Sequence, residues 1–120
     1  MKGDELKKRT KDFAHRCVKL AVALPRTPLG NHIRGQLLRC STSVASNYRA
    51  ACIAQSKASF ISKLSIVIEE ADESCFWLEF IIDENLLKKA QVKPLLKEAE
   101  ELTAIFMTSR KTARMGKDDG

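Results

Sequence analysis

Between residues 57 and 85 apolar side chains recur at Phe60, Leu64, Val67, Ile68, Ala71, Cys75, Leu78 and Ile82. Steps of three and four residues place them along one side of an α-helix, whereas a strand would scatter them over both faces. A helix this long with an unbroken apolar stripe must bury it against other helices.

The rest of the chain supplies those helices. Leu6, Phe13, Cys17, Leu20 and Leu24 share a narrow arc over residues 4–24, and Pro25 and Pro28 interrupt it. Thr27 before Pro28 reads as an N-cap followed by proline at the first helical position. It opens a second helix over residues 28–54, with Ile33, Leu37, Cys40, Val44, Tyr48 and Ala51 inward. Gly35 inside it costs about 1 kcal/mol relative to Ala, so it is expected to mark a close backbone approach. Ser56 is the expected cap of the third helix, residues 57–85. The connection NLLKKAQVK leads to Pro94, where a fourth helix is expected to begin. That helix runs over residues 94–114, with Leu95, Ala99, Leu102, Ile105, Phe106 and Ala113 inward. Four helices joined by short connections specify an all-α, antiparallel up-down-up-down four-helix bundle, one domain over residues 1–120 with a frayed tail at 115–120.

Several function classes are set aside. The start MKGDELKKRTKD is too polar for a signal peptide and no apolar run approaches a membrane span, so the expected location is the cytoplasm, with no membrane partner. Cys17, Cys40, Cys52 and Cys75 are scattered, and only His15 and His32 accompany them. No metal site is expected from such spacing; buried, reduced thiols are. There is no glycine-rich phosphate loop, no Glu-x-x-His pair, and no histidine at helical spacing from Ser43. The expectation is a protein that is not an enzyme and takes no cofactor.

Charge and polarity point to partners. Residues 1–57 hold 12 Lys and Arg against 3 Asp and Glu, a net +9, while residues 58–120 hold 9 against 12, a net −3. Such a division suits either an anionic partner for the first half or a head-to-side meeting of two copies. The stretch RCSTSVASNY sets small polar groups in the middle of the second helix, where such side chains compete for backbone hydrogen bonds. Arg39, Ser43 and Asn47 lie four apart on one ridge. Two readings stand: a tight helix seam with satisfied polar groups, or a surface for an external partner anchored by Arg39.

The run from Gly35 to Leu87 carries further pattern: Gln36–Leu37–Arg39, Ser43–Val44–Asn47, Ser56–Phe60–Lys63–Leu64, Glu70–Ala71–Glu73 and Trp77–Leu78. In these motifs the chain resembles the four-helix-bundle family of 23S rRNA intervening-sequence proteins, and the likeness extends from the first helix to Arg114. One departure is Ala51–Cys52, where many members carry an acidic residue and glycine. The resemblance implies a bundle that assembles into pentameric rings and genes that can sit inside ribosomal RNA inserts. It also implies kinship with an accessory protein of reverse transcriptases in diversity-generating retroelements.

Two outer faces carry the remaining expectations. Ile66, Phe76, Trp77 and Phe80 fall opposite the core stripe of the third helix, as a homo-oligomer interface would. Around them stand Glu69, Glu70, Asp72, Glu73 and Glu79, expected to meet Arg34 and Arg49 of another copy. On the first helix Lys7, Lys8, Lys11, His15 and Lys19 share an outward arc, and Arg110, Lys111, Arg114 and Lys117 close the fourth. Antiparallel packing is expected to bring both clusters to one end as a rim for RNA or DNA, bound through the backbone and with little sequence selectivity. An ordinary solvated face with charges that offset a helix dipole is the alternative. The competing function is a protein-interaction scaffold, for example for a reverse transcriptase.

Overall fold

A computed structural model describes residues 3–116. Its elements are helices α1 (Gly3–Val22), α2 (Pro28–Cys52), α3 (Lys57–Asp83) and α4 (Lys89–Arg114). Among the described residues there is no strand. Each helix packs on its sequence neighbours and α1 also meets α4, whereas the Cα atoms of the diagonal pairs α1–α3 and α2–α4 stay more than 8 Å apart, so that only side chains meet across the middle. With such short connections this is an antiparallel four-helix square.

The first three helices stop two residues before the ends that periodicity suggests. The last carbonyls turn to tighter i→i+3 bonds: Leu24 N–H to Ala21 O at 3.2 Å, Ala54 N–H to Ala51 O at 3.1 Å, and Asn85 N–H to Ile82 O at 3.0 Å. Leu24 is nevertheless buried, because the tightened turn still points inward. The caps follow expectation. Thr27 accepts from the Gly30 amide at 3.0 Å, and Ser56 accepts from the Ser59 amide at 3.0 Å.

The fourth helix begins at Lys89, five residues ahead of the expected Pro94. Proline there forfeits one bond to the Ala90 carbonyl. Val92, fully buried, holds the extra turn in the core, while Ala90 and Pro94 are exposed, so the freed carbonyl is not sealed in the core. Inside the bundle Phe13 and Phe106 are the largest sealed side chains, and the Tyr48 ring lies 5.1 Å from that of Phe106. At the end of α3 the core residue is Ile81, with Ile82 only half-buried, since the stripe drifts around the helix over its length.

The close approach is at Gly30, not Gly35. A Cβ on Gly35 would meet nothing within 4 Å, whereas one on Gly30 would lie 2.0 Å from the Pro25 carbonyl oxygen. Gly35 is thus an exposed helix-interior glycine with its conformational cost and no packing return within the chain. Gly35→Ala is expected to raise the stability of the isolated chain by about 1 kcal/mol, read as a higher urea midpoint at unchanged slope.

Candidate functional site

The polar middle of α2 mostly satisfies itself. Thr42 Oγ1 donates to the Leu38 carbonyl at 2.7 Å, and Asn47 Nδ2 donates to the Ser43 carbonyl and hydroxyl at 3.0 and 2.8 Å. These i−4 bonds satisfy the side chains within α2 itself. Only at one level do small polar groups meet across helices. Ser74 donates to the Glu70 carbonyl at 2.9 Å, with Cys40 Sγ 3.2 Å away, and Cys75 Sγ lies 4.0 Å from Thr103 Oγ1. Burial raises the thiols, Cys17 to about 12 and Cys40 and Cys75 to about 11, so they stay protonated. The Ser41 hydroxyl, sealed nearby, makes no hydrogen bond by geometry, although the weakly accepting Cys17 sulfur neighbours it.

Arg39 reaches across to α3. Its guanidinium donates to Glu70 at 3.2 Å and to Glu73, and the Trp77 indole N–H donates to the same Glu73 carboxylate at 3.1 Å. The Arg39 hydrogen bond, helped by Trp77, holds the Glu73 carboxyl below its ordinary value of 4.5. A depressed carboxylate stabilises the fold above its unfolded-state pKa and loses that contribution as pH falls through the folded value. Glu73→Gln is therefore expected to flatten the fall of the urea midpoint below about pH 4.5, with little change in the neutral-pH slope.

Of the four proposed interface residues on α3, only Phe76 is strongly exposed, at 51%. Trp77 packs edge-on against it at 4.9 Å and against His32 at 5.5 Å, and Phe80 lies 5.8 Å from Phe76. Trp77 and Phe80 are half-buried supports, and Ile66 is half-buried farther back along the helix. Arg34 has other work: it donates to the carbonyls of Ala21, Leu24 and Pro25 at 3.1, 2.6 and 3.2 Å, closing the end of α1. Within the chain Glu70 and Glu73 are engaged by Arg39, while Arg34 is held by carbonyls. Arg49 is exposed on α2.

The basic groups extend beyond one end of the bundle. At the end of α4, Arg110, Lys111 and Arg114 line a shallow, open concavity of about 400 Å³ together with Met107, Thr108 and Met115. Arg110 donates to Ser65 at 3.2 Å, and a Cβ on Gly116 would meet Lys57 Nζ at 3.8 Å, so the start of α3 adds a cation here. Among the described residues no carboxylate pairs with any of the three. The α1 lysines instead run along the whole helix. Lys7 to Lys19 spans about 18 Å at the rise of an α-helix, so Lys19 lies toward the opposite end. Lys7 and Lys8 pair with Asp4 and Asp12 at 3.3 and 3.2 Å. Lys117 lies outside the described residues.

One residue escaped sequence reasoning altogether. Arg9 forms a two-pronged pair with Glu98, both bonds 2.7 Å, and reaches Glu101 at 2.9 Å, joining α1 to α4. Bonding to Glu98 raises the Arg9 guanidinium above its usual range. No local spacing signals a pair so distant along the chain.

Fold and surface together define an all-α four-helix bundle whose distinctive chemistry lies on charged outer faces. The sequence profile described as 23S rRNA-intervening sequence protein matches residues 4–108, and the chain belongs to that family. It also resembles the 1.70 Å crystal structure of a protein of unknown function from the S23 ribosomal protein family of Bacteroides thetaiotaomicron VPI-5482. The identity is 33%, the TM-score 0.85, and the match covers 93% of this chain and 100% of that one. No curated protein matches the chain. No helix among the described residues is long and apolar enough to cross a membrane.

Proposed function

We propose that the chain is a non-catalytic, homo-oligomeric bundle that binds the phosphate backbone of RNA or DNA through the groove at the end of α4. The observation that carries this reading is the convergence of Arg110, Lys111 and Arg114 on one concavity, where none of the three has a carboxylate partner among the described residues. Unpaired cations on a concave surface focus positive potential and release counterions when they meet phosphate. The groove offers methionines and a threonine but no aromatic ring, so base stacking plays no part and sequence selectivity is weak. The test is fluorescence anisotropy with random-sequence RNA and duplex DNA across a salt series. Binding that weakens linearly in log salt, alike for unrelated sequences, supports the reading; no binding to either at low salt removes it.

A second reading, an interaction scaffold, is favoured by exposed Phe76 with its aromatic backing. The Arg39, Ser43 and Asn47 ridge lends little to a reverse-transcriptase partner. Its arginine is bridged to α3 and its serine and asparagine bond each other.

A further inference from the structure

The outer ridge of α3 is acidic around a single aromatic. Glu69, Asp72, Phe76, Glu79 and Asp83 follow one another at steps of three and four, so they form one stripe. All are exposed, and among the described residues none of the four carboxylates is in an ion pair. An exposed phenyl ring resting on Trp77 and Phe80 has the form of an interface anchor, but its surroundings restrict what can cover it. Nucleic acid is repelled. A second α3 ridge meeting it by a two-fold axis would set four carboxylates against four.

The chain itself carries the complementary stripe. On α1, Lys8, Lys11, His15, Lys19 and Val22 are all exposed; Lys8 is shared with Asp12, and among the described residues Lys11 and Lys19 are in no ion pair. Each stripe covers about 21 Å of helix. Each has charges flanking a central ring, His15 opposite Phe76, and the signs are opposed. Helices α1 and α3 sit on a diagonal of the square and both stripes face solvent, so the two stripes cannot neutralise each other within one chain.

We propose that the basic stripe of α1 of one copy lies along the acidic, Phe76-centred stripe of α3 of a second copy. This deepens the homo-oligomeric part of the function proposed above and rests on it. Each copy gives α1 to one neighbour and α3 to the other, a heterologous contact that closes as a ring or continues as a filament. Lys8, Lys11 and Lys19 are thereby removed from the nucleic-acid surface, while the α4 groove stays open.

The test is a charge swap read by sedimentation velocity at micromolar concentration, with circular dichroism to check helicity. Lys11→Glu with Lys19→Glu reverses α1; Asp72→Lys with Glu79→Lys reverses α3. These pairs restore complementarity whichever way the helices run. The wild type is expected to sediment as an oligomer, each paired reversal as a monomer, and the four-fold variant as an oligomer again. Phe76→Asp, at an exposed position, is expected to give a folded monomer and serves if the four-fold variant does not fold. An oligomer that survives both paired reversals, or Phe76→Asp, overturns this pairing while leaving homo-oligomerisation intact. A folded four-fold variant that stays monomeric also overturns it. A monomeric wild type overturns both and leaves a foreign basic helix as the occupant of the α3 ridge.

Discussion

Replacing Arg110, Lys111 and Arg114 together by glutamine is expected to weaken binding to duplex DNA by about two to three orders of magnitude at about 0.1 M salt. The magnitude follows from counterion release. Each phosphate deprived of its cation takes about 0.9 off the slope of log affinity against log salt, hence about one decade at that concentration. For single-stranded RNA the decrement per phosphate is about 0.7. The weakening is expected to be the same for unrelated sequences, because bonds to phosphate position a nucleic acid without reading it. Folding is a small concern: Lys111 and Arg114 are exposed, and Arg110 forgoes one bond to Ser65. Lys7→Gln with Lys8→Gln is the contrast. Those lysines already face Asp4 and Asp12, so their replacement is expected to change the slope far less. Equal slopes for the triple variant and the wild type would falsify the assignment of the groove.

The uneven charge of the chain acquires a structural meaning from where the pairs fall. Arg9 and Arg39 are the cations that stitch helices together, one across α1–α4 and the other across α2–α3. Arg34 belongs to neither stripe nor groove, because carbonyl oxygens hold it. Removing these three from the basic total leaves the α1 lysines and the α4 cluster among the cationic groups open to partners, beside the exposed Arg16, Arg26, Arg49 and the lysines at the start of α4. Glu70, Glu73, Glu98 and Glu101 are likewise internal partners, which concentrates the unpaired negative charge of α3 on its outer ridge.

Periodicity carried most of the fold. The α3 stripe, the caps Thr27 and Ser56 and the antiparallel square were all legible, because each depends on residues a few positions apart. The start of α4 was not: Pro94 looks like a helix opener, and only the burial of Val92 keeps the preceding turn helical. The functional surfaces were legible in composition but not in arrangement. Nothing local separates Arg34, which folds back onto the end of α1, from Arg49, which is exposed. Likewise Phe76 and Trp77 are adjacent in sequence, yet the indole finds Glu73 and His32 while the phenyl ring does not leave solvent.

Gly30→Ala is expected to destabilise the chain by about 3 kcal/mol, the upper range for inserting an atom into a filled site. At this chain size that corresponds to a fall in melting temperature of roughly 10–15 °C. The added Cβ would lie 2.0 Å from the Pro25 carbonyl oxygen and 3.0 Å from its carbon, with Thr27 Oγ1 at 3.2 Å. The first two are backbone, so no side chain can swing aside to relieve them. The corner must open instead, and two further interactions depend on it. Thr27 caps α2 through the Gly30 amide itself, and Arg34 grips the Leu24 and Pro25 carbonyls from the other side. Shared dependence predicts non-additivity. Arg34→Met alone is expected to be clearly destabilising, but to cost less when Gly30→Ala has already displaced Pro25. The same alanine at Gly35, five residues along the same helix, meets open space and is expected to act in the opposite direction. Opposite signs at the two glycines in urea titrations therefore test the corner rather than helix propensity, which favours alanine at both. A Gly30→Ala chain that melts with the wild type would mean that α1 and α2 do not meet through this tightly closed turn.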